Sequence, residues 1–133
     1  MMEFKLEIIT PDGTFFDGMA ESLLVRTSIG DVCILARHTD YLTTIDIGSV
    51  KIKTASDERF ASVMGGFLTV TDGNVKIIAT TAEFAEDIDV SRAEMAKARA
   101  EAIIQNKESD KDIALAELKL KRALNRISVS KKA

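Results

Sequence analysis

The sequence predicts an α+β protein, with an N-terminal antiparallel β-sandwich over residues 1–84 and a C-terminal antiparallel two-helix hairpin over residues 85–133. Three observations carry this. Up to about Thr81, apolar residues come in short alternating runs separated by Gly-rich turns, the period of half-buried strands. From Val90 onward there is neither Gly nor Pro, and apolar residues recur at helical spacing. No helical pattern interrupts the strands, which argues against a parallel α/β sheet.

Phe4, Leu6 and Ile8 alternate with Glu3, Lys5 and Glu7, giving a first strand that Pro11-Asp12-Gly13 ends with turn chemistry. Thr14–Phe16 reads as a short return strand closed by Asp17-Gly18. Ser22–Thr27 is a third strand, Ser28–Asp31 a turn, Val32–Leu35 a buried run, and Ala36–Tyr41 a loop. Thr43–Ile47 and Val50–Lys53 read as two strands about a turn at Gly48-Ser49. Phe60–Met64 and Phe67–Thr71 flank Gly65-Gly66, where paired glycines imply a bulge or the close approach of another backbone. Asp72-Gly73-Asn74 then turns the chain into Val75–Thr81.

Asp89 is a fitting N-cap for the first helix, because its carboxylate can accept from free N–H groups of the first turn. Ile88 and Ala93 stand at the two ends of a hydrophobic staple. Ala93, Ala96, Ala100 and Ile103/Ile104 form the apolar face of this helix. After a polar break at Gln105–Glu108, Ser109 caps a second helix with the stripe Ile113, Ala116, Leu120, Leu124 and Ile127. A short link between two helices makes an antiparallel hairpin. Alanine in place of leucine leaves its seam little apolar area.

Composition narrows the function. No apolar run reaches the roughly 20 residues of a membrane helix. Met1–Lys5 lacks the basic start and apolar block of a signal peptide, and the lone Cys33 excludes an internal disulfide, as suits a reducing cytoplasm. Residues 1–83 hold 7 Lys/Arg against 12 Asp/Glu, whereas residues 84–133 hold 11 against 9. The last 21 residues carry six basic side chains against Glu117 alone. That segment suits either an acidic partner surface or a solvated helix end whose dipole favours cations. An acidic chain with few aromatics argues against nucleic-acid binding. His38 is the only histidine, nothing pairs it with a nucleophile, and zinc ligands are lacking, so the chain reads as no enzyme. Arg92 and Arg99 are seven apart and Arg122 and Arg126 four apart, so each pair shares a helix face. With Glu83, Glu86 and Asp89 nearby in sequence, these guanidiniums suit either ion pairs or a phosphate-bearing anion.

The motifs together resemble the ε subunit of bacterial rotary (F-type) ATP synthase over nearly the whole length. Ile9-Thr10-Pro11-Asp12-Gly13 matches the family's opening strand and turn, and Met64-Gly65-Gly66-Phe67-Leu68-Thr69-Val70 its Gly-Gly-Phe signature. Gly30-Asp31-Val32-Cys33-Ile34-Leu35 followed by His38 is similar to its Gly-Glu-Leu-Gly-Ile-Leu-Pro-Gly-His segment. There, Asp31 replaces Glu, Cys33 replaces Gly, and Ala36-Arg37 replaces Pro-Gly. Ile88-Asp89-Val90-Ser91-Arg92-Ala93 fits the Ile/Leu-Asp-x-x-Arg-Ala motif of ATP-binding members, and Leu120–Arg126 fits their second-helix pattern.

The resemblance implies a non-catalytic rotor subunit at the cytoplasmic face of the membrane, attached only through its complex. The sandwich would grip the γ subunit and the ring of c subunits, with Asp31 and His38 as ring contacts, and couple rotation to ion flow. The helices would open to set basic side chains against the α/β catalytic ring and block hydrolysis. ATP, as a regulatory ligand rather than a required cofactor, would hold them closed at Glu83, Ile88, Asp89, Arg92, Ala93, Arg99, Arg122 and Arg126. No acidic cluster clearly demands magnesium. The same rotor subunit without nucleotide sensing, and a sandwich enzyme or sugar-binding module with a helical tail, are the alternatives.

Overall fold

A computed structural model of the chain describes residues 2–106 and 109–133. The chain forms two compact units, one ending at Phe84 and the other beginning at Ala85.

The first unit has seven strands: β1 (Phe4–Thr10), β2 (Gly13–Ala20), β3 (Ser22–Thr27), β4 (Gly30–Leu35), β5 (Tyr41–Lys53), β6 (Glu58–Thr71) and β7 (Asn74–Phe84). They hydrogen-bond in the order β2-β1-β7-β6-β5-β3-β4. Leu6 and Ile8 of β1, Leu23 and Val25 of β3, and Ile34 of β4 share one buried core. Strands from opposite ends of the order can share a core only if the sheet folds over on itself, which makes the sandwich. The alternation read in β1 appears as Phe4, Leu6 and Ile8 buried with Lys5 exposed. One pairing departs from the antiparallel expectation: β1 runs parallel to β7, from Leu6↔Val75 to Ile9↔Ile78. The rest of the sheet lies between these two strands in sequence and serves as their crossover.

Three strand expectations need correction. Val32–Leu35, expected as a buried run, is an alternating edge strand in which Ile34 is buried while Cys33 and Leu35 are exposed. The return strand expected at Thr14–Phe16 extends through Asp17-Gly18 to Ala20, paired along β1 to Phe4↔Ala20. The turn expected at Gly48-Ser49 is absent, and β5 runs unbroken through it with Gly48 opposite Val63 of β6. Glycine is needed there for space, because a Cβ would lie 2.5 Å from Arg26 Cβ. Against β3 the register jumps between Val25↔Val50 and Thr27↔Ile45, so β5 bulges instead of turning. β6 runs through Gly65-Gly66, in keeping with the reading of that pair as lying within the strand. Gly66 has φ +113°, and a Cβ there would overlap the carbonyl oxygen of Ile78. The paired glycines thus mark the close approach of another backbone.

The end of β7 is held by side chains. Phe84 stacks on Phe15 with centroids 4.3 Å apart, and the Arg59 guanidinium carbon lies 3.5 Å from the Phe84 ring centroid. A cation over a ring face adds electrostatic attraction to the packing.

The second unit holds a short 3-10 turn (Ala85–Asp87), α1 (Val90–Gln105) and α2 (Asp110–Ser130). Both expected caps are present: Asp89 accepts from the Arg92 N–H at 3.0 Å, and Ser109 from the Asp112 N–H at 3.3 Å. Ile88 and Ala93, the staple positions, are both buried. Within the expected polar break, Gln105 ends α1 and Asn106 caps it, while Lys107 and Glu108 lie outside the described residues. α1 packs on α2, and four positions separate them, which returns α2 antiparallel along α1.

Ala93 and Ala100 on α1 and Ala116 and Ala123 on α2 are 1–3 % exposed. The expected α2 stripe needs one correction: Leu124 is 44 % exposed, and Ala123 takes its place. The α2 stripe reads Ile113, Ala116, Leu120, Ala123 and Ile127, alternating steps of three and four as in a packed helix pair.

Candidate functional site

Each of the arginines singled out in sequence stands one residue before a helix position that faces inward. Arg92 precedes Ala93, Arg99 precedes Ala100, Arg122 precedes Ala123, and Arg126 precedes Ile127, and all four inward residues are buried. One residue is a rotation of about 100° on a helix. Reversing a helix reverses the sense of that rotation seen along a common axis. In an antiparallel pair, the positions just before the seam therefore project to the same side of both helices. All four arginines lie on one flank of the hairpin.

Their levels along the hairpin differ. The four-residue link and the alanine spacing set Ala93 roughly level with Ala123, and Ala100 with Ala116. Arg92 then lies level with the Arg122–Arg126 turn, close to the capping Asp89. Arg99 lies about 10 Å further along α1, at about 1.5 Å rise per residue. Arg92, Arg99 and Arg122 are exposed, whereas Arg126 is half-buried and already engaged by a neighbour. Three guanidiniums at one level beside a helix N-terminus can hold a polyphosphate, since their forked N–H groups bind phosphate oxygens in pairs. Glu83 lies in the first unit, half-buried on β7 opposite Ser62.

The ring contacts expected from the resemblance, Asp31 and His38, fall toward opposite ends of β4. Asp31 stands by the β3–β4 turn, where Arg26 Nε donates to its Oδ1 at 2.6 Å. His38 lies three residues beyond Leu35, and positions 31 and 35 alone are about 13 Å apart at strand rise. The structure does not bring the two together. The His38 ring is half-buried, with Nδ1 2.7 Å from the Thr39 carbonyl oxygen and the ring 5.7 Å from that of Tyr41.

Two residues beside His38 were missed by sequence reasoning. Arg37 holds φ +64°, a left-handed conformation, at the position where the resembling motif has Gly. Asp40 Oδ1 accepts from the Asp72 N–H at 3.0 Å and so ties the β4–β5 loop to the β6–β7 turn. The Gly-to-Arg departure at position 37 was the available signal for the first. Nothing local announced the second, because its partner is 32 residues away. The outer face of the sandwich also carries a lateral apolar row, Ile9–Ile78–Phe67, with Leu42 close by on β5 at 70 % exposure. Exposed apolar rows of this kind suit a packed protein partner.

Among the described residues, no helix is long and apolar enough to cross a membrane, and no group of three His, Cys, Asp or Glu side chains is placed to hold a metal.

Known proteins account for both units. Residues 3–85 match the family described as ATP synthase delta/epsilon chain, β-sandwich domain, and residues 86–131 match its long α-helix domain. The chain is 42 % identical over 130 residues to the ATP synthase epsilon chain of Bacillus velezensis, covering 98 % of each. It is 43 % identical over 129 residues to that of Alkaliphilus metalliredigens, covering 97 % of this chain and 96 % of the relative. In fold it is similar to a chain in the Euglena gracilis mitochondrial ATP synthase OSCP/F1/c-ring structure, with TM-score 0.83 and 21 % identity, covering 92 % of this chain and 78 % of that one. A chain of the Tetrahymena thermophila mitochondrial ATP synthase central stalk and c-ring gives TM-score 0.66 at 16 % identity, covering 98 % and 96 %. With both of its units matched in order and close relatives spanning its length, the chain belongs to the ATP synthase delta/epsilon family.

Proposed function

We propose that the chain is a non-catalytic rotor subunit of ATP synthase whose sandwich couples rotation to ion translocation and whose helical hairpin restrains ATP hydrolysis, with ATP holding the hairpin closed. The sandwich would meet the γ subunit and the c-ring, and its exposed apolar row is a surface such neighbours would cover. The opened helices would meet the α/β catalytic subunits through their basic residues. Membrane attachment, at the cytoplasmic face, would come through the complex alone.

One observation carries the nucleotide part: the four arginines share a flank of the hairpin, three of them at one level beside the Asp89 cap. Arg92, Arg122 and Arg126 hold the phosphates in this reading. Asp89 and the backbone near Ile88 and Ala93 face the ribose and adenine. Arg99, two turns along, adds longer-range attraction, and Glu83 enters on the resemblance alone. A ligand that binds only the closed hairpin favours it by RT ln(1 + [L]/Kd), about 1.4 kcal/mol at ten times Kd.

Calorimetry of the full chain with ATP, with and without magnesium, tests this. Saturable heat is expected, weakened about tenfold or more by Arg92→Ala or Arg126→Ala, the loss of a charge-assisted bond. No heat at millimolar ATP, with both helices protected from amide exchange, would overturn it. The engagement of Arg126 within the chain favours a second reading, in which these arginines serve only ion pairs and an acidic partner surface. Salt-sensitive inhibition with no effect of ATP would support that reading.

A further inference from the structure

We propose that Asp40 is a positioning residue that locks the Ala36–Asp40 loop, fixing Arg37 and His38 as one wall of a cleft at the end of the sandwich. The cleft holds about 610 Å³ and is bounded by the start of β1, Met19 on β2, the β4–β5 loop and the β6–β7 turn. Its loop wall carries a conformation that needs support. Arg37 has a left-handed backbone without being glycine, and such a conformation persists only where the surroundings over-determine it. Three contacts supply that support. The Asp40 carboxylate takes the Asp72 N–H, His38 Nδ1 meets the Thr39 carbonyl, and the His38 ring lies against Tyr41. Only the first reaches across the sheet order, joining the loop before β5 to the turn between β6 and β7. Asp72-Gly73 forms a two-residue hairpin turn with both φ positive. That turn is pinned by its flanking pairs Thr71↔Asn74 and Val70↔Val75, so it is a firm anchor for the loop.

Asp40 thus uses one oxygen of an exposed carboxylate to hold the loop. A fixed loop suits a contact that must bear load, because a partner then spends no affinity on ordering it. The functional consequence rests on the rotor reading above, in which His38 touches the ring.

The test compares Asp40→Asn, which keeps an oxygen acceptor, with Asp40→Ala, which removes it. The first readout is amide exchange of Asp72 in the full chain, and the second is proton pumping per ATP hydrolysed by ATP synthase vesicles stripped of their own epsilon chain and given each variant. In the alanine variant, Asp72 exchange should rise about five- to tenfold, the loss of one such bond. The pumping ratio should fall with it, and asparagine should restore both to within about twofold. Asp72 exchange unchanged in Asp40→Ala overturns the lock. Faster exchange with an unchanged pumping ratio overturns its role in the contact. A wild-type chain that restores no pumping sinks the rotor reading instead, and the exchange comparison still decides the lock.

Discussion

Replacing Ala123 with leucine tests whether the hairpin is closely packed or slack. Ala123 is 1 % exposed and roughly level with Ala93, which is 3 % exposed. Alanine facing alanine lets two helix axes approach to about 8 Å, the short end of the range for helix pairs. Leucine adds three carbons. If the helices could part freely, burying those carbons would stabilise the hairpin by about 2.4 kcal/mol, at about 0.8 per carbon. If the alanines fix the separation, the carbons overpack the seam and destabilise it by about 1–3 kcal/mol. The second case is expected, because Ala93, Ala100, Ala116 and Ala123 would all have to separate together. A change of about 2 kcal/mol shifts the docked population roughly 30-fold. Amide exchange along α1 and α2 measures it, with the sandwich strands as an internal control. Leu124→Ala, one residue on and 44 % exposed, should change exchange by less than about 0.5 kcal/mol. Slower exchange in Ala123→Leu would refute the close seam. A loss of 2 kcal/mol or more in Leu124→Ala would restore Leu124 to the stripe. On the proposed nucleotide reading, the apparent Kd for ATP rises in proportion as the closed fraction falls.

Other outcomes follow from the same geometry. Gly66→Ala combines positive-φ strain with overlap on the Ile78 carbonyl, and should cost about 4 kcal/mol in thermal denaturation of the sandwich; a loss below 1 kcal/mol would contradict the close approach. Phe84→Ala removes the middle of the Arg59–Phe84–Phe15 stack, and for a half-buried ring should cost about 2 kcal/mol, a fall in Tm of about 10 °C. Asp89→Ala should cost about 1 kcal/mol and speed exchange in the first turn of α1 while leaving that of α2 alone.

How much of this was legible in the sequence depended on the range of the physics involved. Caps were legible because Asp89 and Ser109 act three residues away on their own helices. Strand alternation was legible in β1, where charged residues separate the core positions, but not in β4, where the exposed face carries Cys33 and Leu35 and reads as core. Gly48 misled because glycine has two uses, and sequence shows neither the bulge nor Arg26 pressing on that position. The parallel β1–β7 pair was hidden for a similar reason, since the connection that permits it is the whole intervening sheet. Leu124 misled because a step of four from Leu120 is as good as a step of three until the second helix picks the seam.

The arginines show where such reasoning gains most from three dimensions. Spacing alone paired Arg92 with Arg99 and Arg122 with Arg126, each on its own helix, and left open whether the pairs met. What joins them is a regularity that becomes meaningful only once the buried positions are known: each arginine immediately precedes a seam residue. Antiparallel packing turns that offset into a common side. Substituting any one arginine would therefore alter the field at the others most strongly when the helices are docked, and least when they part. The difference in salt sensitivity of ATP binding between wild type and Arg99→Ala reads this directly. Arg99 lies about 10 Å along α1 from Arg92, near the screening length at physiological salt. Arg99→Ala should accordingly weaken binding severalfold at low salt and hardly at all at 0.5 M, where the screening length falls to about 4 Å. An equal loss at both salts would place Arg99 in direct contact with the ligand and shift the level of the site.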